Sequence, residues 1–183
     1  MKRKLERLAV AVILSLAAVQ IAAAQAPPAP KPGPEHQRLG YFVGKWTTEG
    51  TMQPGPMGPG GKMTSTDTCD WFEGHFAVVC HSDGKSAMGA SKEIALMSYS
   101  PEAKAYTYYS TNNSGMTMTS VPKGTVTGDT WTYNDEMEMA GQKMKMRVTI
   151  KELSPTAYTF KMEMQGPDGK WMPTGEAKST KTK

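Results

Sequence analysis

Thiols and imidazoles are scarce in this chain: of its 183 residues only Cys69 and Cys80 are cysteines and only His36, His75 and His81 are histidines. There is no Cys-x-x-Cys, no Gly-x-Ser-x-Gly, no His-Glu-x-x-His and no EF-hand loop, which removes the signatures of a redox dithiol, a serine hydrolase, a zincin and a calcium site. Gly84-Lys85-Ser86 imitates the end of a phosphate loop, but Val79 stands where its first glycine belongs, so it reads as a turn. Asn112-Asn113-Ser114 fits a glycosylation sequon and reads as a polar turn. No cofactor is indicated, and catalytic residues are none.

A clustered basic face is missing as well. The formal charge is +4, but residues 1–24 hold Lys2, Arg3, Lys4, Arg7 and Glu6, a net of +3, which leaves +1 for everything after them. No nucleic-acid partner is expected of such a surface. Those first residues have the layout of a secretory signal: a basic start, an apolar run from Leu8 to Ile21, and small residues at Ala22-Ala23-Ala24. The run is short for a membrane span, and no Cys follows it to accept a lipid. Cleavage before Gln25 with no stable membrane anchor afterwards, and a periplasmic or secreted protein, are the expectations.

The expected organisation is a signal peptide at 1–24, a Pro-rich linker at 25–34, a β-barrel domain at 35–178 and a basic tail at 179–183. The linker, rich in Pro, lacks the donors for a helix or sheet. His36, Leu39, Phe42 and Val43 suit one or two helical turns that end at Gly44. From there the hydrophobic period becomes two. It predicts about ten strands at 45–52, 62–73, 76–82, 91–99, 104–111, 115–121, 129–139, 143–152, 157–165 and 170–178, separated by Gly, Pro, Asn and Asp turns. Successive hairpins without crossover helices make an antiparallel meander, which escapes exposed edges by closing into a barrel. The Gly- and Pro-rich stretch 53–61 reads as a mobile loop over one barrel mouth.

A two-residue turn at Gly74-His75 places Cys69 opposite Cys80, so in an exported chain the two predict a structural disulfide. Alternation puts His81 on the face opposite Cys80, against a shared metal site; no metal ligands are assigned.

Methionine is abundant, at 15 residues. With a turn at Gly141-Gln142, Met139 faces Met144 and Met137 faces Met146, while Glu138 meets Lys145 and Glu136 meets Arg147. Trp131 and Tyr133 share the methionine side. In the following strand Tyr158, Phe160, Met162 and Met164 alternate with polar residues, and a turn at 154–156 sets Met164 beside Met146. Met116 and Met118 repeat the pattern upstream. Thioethers in such numbers fit three uses: filling an irregular core, lining an adaptable apolar cavity, or holding Cu(I) or Ag(I).

Leu39 to Gly50, with Gly44-Lys45-Trp46 at its centre, resembles the first-strand motif of the calycin superfamily of lipocalin-like barrels. With Trp71-Phe72-Glu73-Gly74-His75-Phe76, Gly128-Asp129-Thr130-Trp131-Thr132-Tyr133, Ser154-Pro155-Thr156-Ala157-Tyr158-Thr159-Phe160 and Asp168-Gly169-Lys170-Trp171, the chain from about 34 to 178 looks like an exported bacterial domain family of unknown function. The resemblance implies an all-β, antiparallel calycin-like barrel in which Gly44 and Trp46 are structural and the Trp closes one end, and it carries no catalytic residues over. Two departures stand out. Lipocalins proper lay a late-strand Arg over that Trp, whereas here only Lys178 offers a substitute. Related haem-binding barrels use a His near the carboxyl end, and none follows His81.

The expected function is binding of a small hydrophobic or amphipathic ligand by Met116, Met118, Trp131, Tyr133, Met137, Met139, Met144, Met146, Tyr158, Phe160, Met162 and Met164. The alternatives are an enzyme with a mouth site near His75 and His81, a methionine site for Cu(I) or Ag(I), and a purely structural barrel.

Overall fold

The computed structural model describes residues 30–55, 58–113, 120–139, 142–166 and 168–182, with 137–139 and 142 by backbone alone. The signal-peptide reading, Met116, Met118 and residue 141 of the expected turn lie outside the described residues. The barrel-forming unit begins at Pro32.

Pro34 opens helix α1 (Pro34–Arg38), where its fixed φ suits the first helical position, and Gly33 donates its amide to His36 Nδ1 at 3.2 Å. A 3-10 turn follows (Leu39–Phe42). At Gly44, φ is +127°, a conformation that L side chains avoid, and a Cβ there would come within 3.1 Å of Lys181. The chain bends at this glycine into β1 (Gly44–Met52).

Nine more strands follow: β2 (Gly61–Trp71), β3 (Ala77–Ser86), β4 (Gly89–Ser100), β5 (Ala105–Asn112), β6 (Lys123–Thr127), β7 (Thr130–Met139), β8 (Gln142–Ser154), β9 (Ala157–Gln165) and β10 (Trp171–Thr182). Each pairs antiparallel with its sequence neighbour, and β1 also pairs with β10, so the sheet is a closed ten-stranded barrel. Closure satisfies both edges that a meander would otherwise expose. Among the described residues no helix is long and apolar enough to cross a membrane.

Side chains alternate across this wall. One set points inward: Trp46 and Thr48 from β1, Asp67 and Cys69 from β2, Cys80 and Ser82 from β3, Glu93 and Ala95 from β4, Tyr133 from β7, Val148 and Ile150 from β8, and Tyr158 and Phe160 from β9. The expected fold, all-β with a short N-terminal helix, is the one observed.

Local expectations needed five corrections. Strand β6 occupies Lys123–Thr127, where Pro122-Lys123-Gly124 and Thr127-Gly128 had suggested turns; Gly124 pairs with both Tyr106 and Tyr133, so the sheet continues through them. β3 runs through Ser86, which places Gly84-Lys85-Ser86 in a strand, with the turn at Ala87-Met88. Five residues, 72–76, separate β2 from β3 in place of a two-residue turn: the Phe72 amide donates to Ala77 O, closing a loop of 73–76, and the His75 amide to Phe72 O, both at 2.9 Å, with Gly74 at φ +84°. The longer loop keeps the same axis, so Cys69 still faces Cys80. The β7–β8 pairing is displaced by two residues: Met137 faces Met144, Glu136 faces Lys145 and Glu138 faces Lys143. An even displacement leaves every side chain on its expected face. Last, β10 extends to Thr182, so Ser179 to Thr182 belong to a strand and not to a tail.

Candidate functional site: the barrel interior

One end of the barrel is sealed by aromatic rings. Trp46 is 1% exposed, donates Nε1–H to Phe42 O at 2.7 Å and packs edge-on against Tyr158, with ring centres 4.9 Å apart. Phe42 meets Trp131 at 5.0 Å, and Trp131 meets Tyr106 at 4.8 Å. Trp131 donates Nε1–H to Glu152 Oε1 at 2.6 Å, the same oxygen that Arg38 Nη2 reaches at 2.6 Å. Tyr41 donates its hydroxyl to carbonyls of Ser154 and Ala157, both at 2.9 Å, and burial pushes its phenol up to about 12. The helical segment is thereby fastened across the bottom.

The cation over Trp46 comes from the last strand after all. Lys181 places Nζ 4.8 Å from the indole centre, whereas Lys178 pairs opposite Glu49 and points outward. Position 178 was the wrong substitute because the strand continues far enough to bring Lys181 level with Trp46.

Above this plug the interior is hollow. A cavity of about 900 Å³ runs from Trp46 and Phe42 to a mouth at Gln53, Gly58, Pro59, Gly60 and Met88. Small-ligand sites usually measure about 300–1,000 Å³, so the barrel has room for a guest and is not a filled core. The described part of the loop between β1 and β2 lies at that mouth, as its composition suggested.

The wall has two characters. On one side β8 and β9 supply Met146, Val148, Ile150, Tyr158, Phe160 and Met162, an apolar and aromatic surface. On the other, β2 to β5 supply Ser65, Asp67, Ser82, Glu93, Tyr108 and Ser110. Asp67 on β2 and Glu93 on β4 both pair with Ser82 on the strand between them, so the three lie in one row. Hydroxyls surround the carboxylates. Ser65 Oγ donates to Asp67 Oδ2 at 3.1 Å, Thr48 Oγ1 to the same oxygen at 3.2 Å, and Tyr108 to Glu93 Oε1 at 3.0 Å. A third carboxylate, Asp135 on β7, accepts from Ser120 Oγ at 2.6 Å.

Burial dominates the electrostatics of this wall. It raises the Glu93 carboxyl, against the opposing hydrogen bonds from Tyr108 and Ser110 and with help from the charge of Asp67. It holds the Tyr108 phenol well above its ordinary range, raises Tyr133, and pushes Tyr158 up to about 12. Tyr133 is 5% exposed, and among the described residues its hydroxyl has no hydrogen-bond partner.

Because Glu93 binds its proton more tightly folded than unfolded, its favourable contribution is complete below about pH 4.5 and is lost as pH rises through the higher folded value. Glu93→Gln is therefore expected to melt closer to its acid-pH midpoint at neutral pH than the wild type does. Thermal melts across that window read the difference, and parallel curves would remove burial as the cause.

Of the twelve residues expected to bind ligand, Tyr133, Met146, Tyr158, Phe160 and Met162 stand on the cavity wall. Trp131 is fully buried in the plug and Met164 is buried beside Met146 and Met172 outside the cavity lining. Met144 is partly buried and also off the lining. The side chains of Met137 and Met139 and all of Met116 and Met118 lie outside the described residues. The polar row of Ser65, Asp67, Ser82 and Glu93 was missed, and so was Asp135, which shares the parity of Tyr133.

The histidines do not gather at a mouth. His75 stacks on Trp71 at 5.1 Å in the β2–β3 loop, on the side of the helical plug. His81 is exposed on the outer face of β3. His36 is buried between Phe76 and Tyr99, at 5.1 and 5.6 Å. Among the described residues, no cluster of His, Cys, Asp and Glu forms a metal-binding group. The disulfide joins Cys69 and Cys80, as expected, and lines the lower cavity.

The family of proteins of unknown function DUF1579 matches residues 31–181, and the chain belongs to that family. Two solved structures share the fold. Rv2717c from M. tuberculosis superposes with a TM-score of 0.59 at 13% identity, covering 82% of this chain and 99% of the other. The S-type phycobiliprotein lyase CPES from Guillardia theta gives 0.53 at 12% identity, covering 81% and 93%. No curated protein matches the sequence.

Proposed function

We propose that this DUF1579 barrel is an exported carrier or sensor that holds one small amphipathic molecule in its interior. The observation that supports this reading above the others is the cavity of about 900 Å³, closed below by Trp46 and lined by Tyr158, Phe160 and Met162. A barrel whose role is purely structural gains nothing from leaving such a volume unfilled, since unfilled space costs stability. Export rests on the leader-like first residues together with the Cys69–Cys80 bridge, which persists in an oxidising compartment.

The test uses a neutral environment-sensitive dye, N-phenyl-1-naphthylamine. Its emission is expected to shift to the blue and saturate at one dye per barrel. Val148, which pairs between Tyr133 and Met162, is the position to block: Val148→Trp should fill the mid-cavity and weaken dye binding by at least about tenfold. Near-UV circular dichroism verifies that the variant keeps its packing. Unsaturable dye uptake, or equal affinity in the folded variant, would overturn the interior as the binding site.

A further inference from the structure

We propose that the guest of this cavity is a cation: an ammonium group on an apolar or aromatic body, with the charge lodged against Asp67 and Glu93. The inference rests on the interior-binding reading above and specifies its chemistry.

Three carboxylates, Asp67, Glu93 and Asp135, line the cavity, and among the described residues none of them makes an ion pair. Their hydrogen-bond donors are neutral: Ser65 and Thr48 for Asp67, Tyr108 and Ser110 for Glu93, Ser120 and the Glu136 amide for Asp135. Hydroxyls orient a carboxylate and satisfy lone pairs without cancelling its charge. Lys85, the remaining charged residue on the lining among the described residues, is exposed at the rim beside Ala87 and Met88. The interior therefore presents negative charge with its counter-charge missing.

A second observation is independent of the carboxylates. Among the described residues the Tyr133 hydroxyl, on a residue 5% exposed that lines the same cavity, has no hydrogen-bond partner. Buried polar atoms are nearly always satisfied, so this orphan, itself shielded from solvent, is a polar group that a small shift of the ring would offer to a guest. A phenol oxygen can accept from an N–H, more weakly than a carboxylate does. The rings of Tyr108 and Tyr133, 6.3 Å apart, add faces that attract cations and repel anions. Opposite them, Phe160, Met162, Val148 and Ile150 provide the apolar surface for the body of the molecule.

The test compares probes that share a dansyl group and a five-carbon tether and differ in the end group: dansylcadaverine, whose tail ends in an ammonium, its N-acetyl derivative, which is neutral, and dansyl-6-aminohexanoate, an anion. The cation is expected to bind at least about tenfold more tightly than the neutral probe, and the anion more weakly than either. Asp67→Asn and Glu93→Gln, made singly and together, should bring the cation's affinity down to that of the neutral probe. Two single variants guard against one failing to fold. Equal binding of all three probes would overturn the cationic assignment and leave interior binding standing. Failure of every probe to bind the wild type would overturn both.

Discussion

Trp46→Ala is expected to lower the free energy of unfolding by about 3–5 kcal/mol, the range for deleting a buried Trp, out of a total of about 5–15 kcal/mol for a typical domain. The indole is 1% exposed and has a partner on every side: Phe42 O on its N–H, Tyr158 and Tyr41 on its ring, and Lys181 over it. Removal leaves a void at the junction of β1, β9 and the 3-10 turn, elements that the rest of the plug rests upon. Urea denaturation reads the loss as a shift in midpoint. Trp171→Ala is the control: that indole is half-buried on the outside, stacked on Arg147 at 4.2 Å, and its loss should be the smaller. If the two variants lose the same stability, Trp46 is not the keystone of the closed end.

The effect on binding should come second. Trp46 forms the floor of the cavity, so a destabilised variant that still folds has a deeper pocket. Dye affinity measured in the folded fraction then separates loss of the plug from loss of the wall. A variant that binds normally while melting early assigns Trp46 to stability alone.

The architecture was legible because turn chemistry and period-two alternation agree over most of the chain. Trp131, Tyr133, Met144, Met146, Val148 and Ile150 stand on one parity with charges on the other, and a pairing error of two residues left the faces unchanged. β6 was illegible for a local reason: Lys123-Gly124-Thr125-Val126-Thr127 carries turn residues and one large apolar side chain. It is a strand because β5 and β7 lie on either side of it.

The candidate site was half legible, for a physical reason. Methionine and aromatic residues announce an apolar interior, so the β8–β9 wall could be read. The stretch Thr64-Ser65-Thr66-Asp67-Thr68 is polar on both faces, so alternation gives no sign of which residues point inward. Only barrel closure and the Cys69–Cys80 register assign Ser65 and Asp67 to the inside. Polar residues facing inward contradict the usual pattern for a core, and such breaks concentrate at functional sites.

Cys69 and Cys80 give the last large effect. Replacing both with Ser, or reducing the bridge, should cost about 3 kcal/mol by the loop-closure entropy of a crosslink spanning 11 residues, within the usual range of about 2–5. Thermal melts with and without reductant measure it, and an unchanged midpoint would show that neighbouring strands alone hold the β2–β3 hairpin. The bridge lies next to the Asp67–Ser82 pair on the inward face, one rung nearer the plug. Loosening it therefore disturbs the row of Asp67, Ser82 and Glu93 before the apolar wall of β8 and β9. The reduced protein should lose its preference for the cationic probe ahead of its affinity for the neutral one. That order of losses would tie selectivity, and not merely stability, to the oxidising compartment in which the disulfide persists.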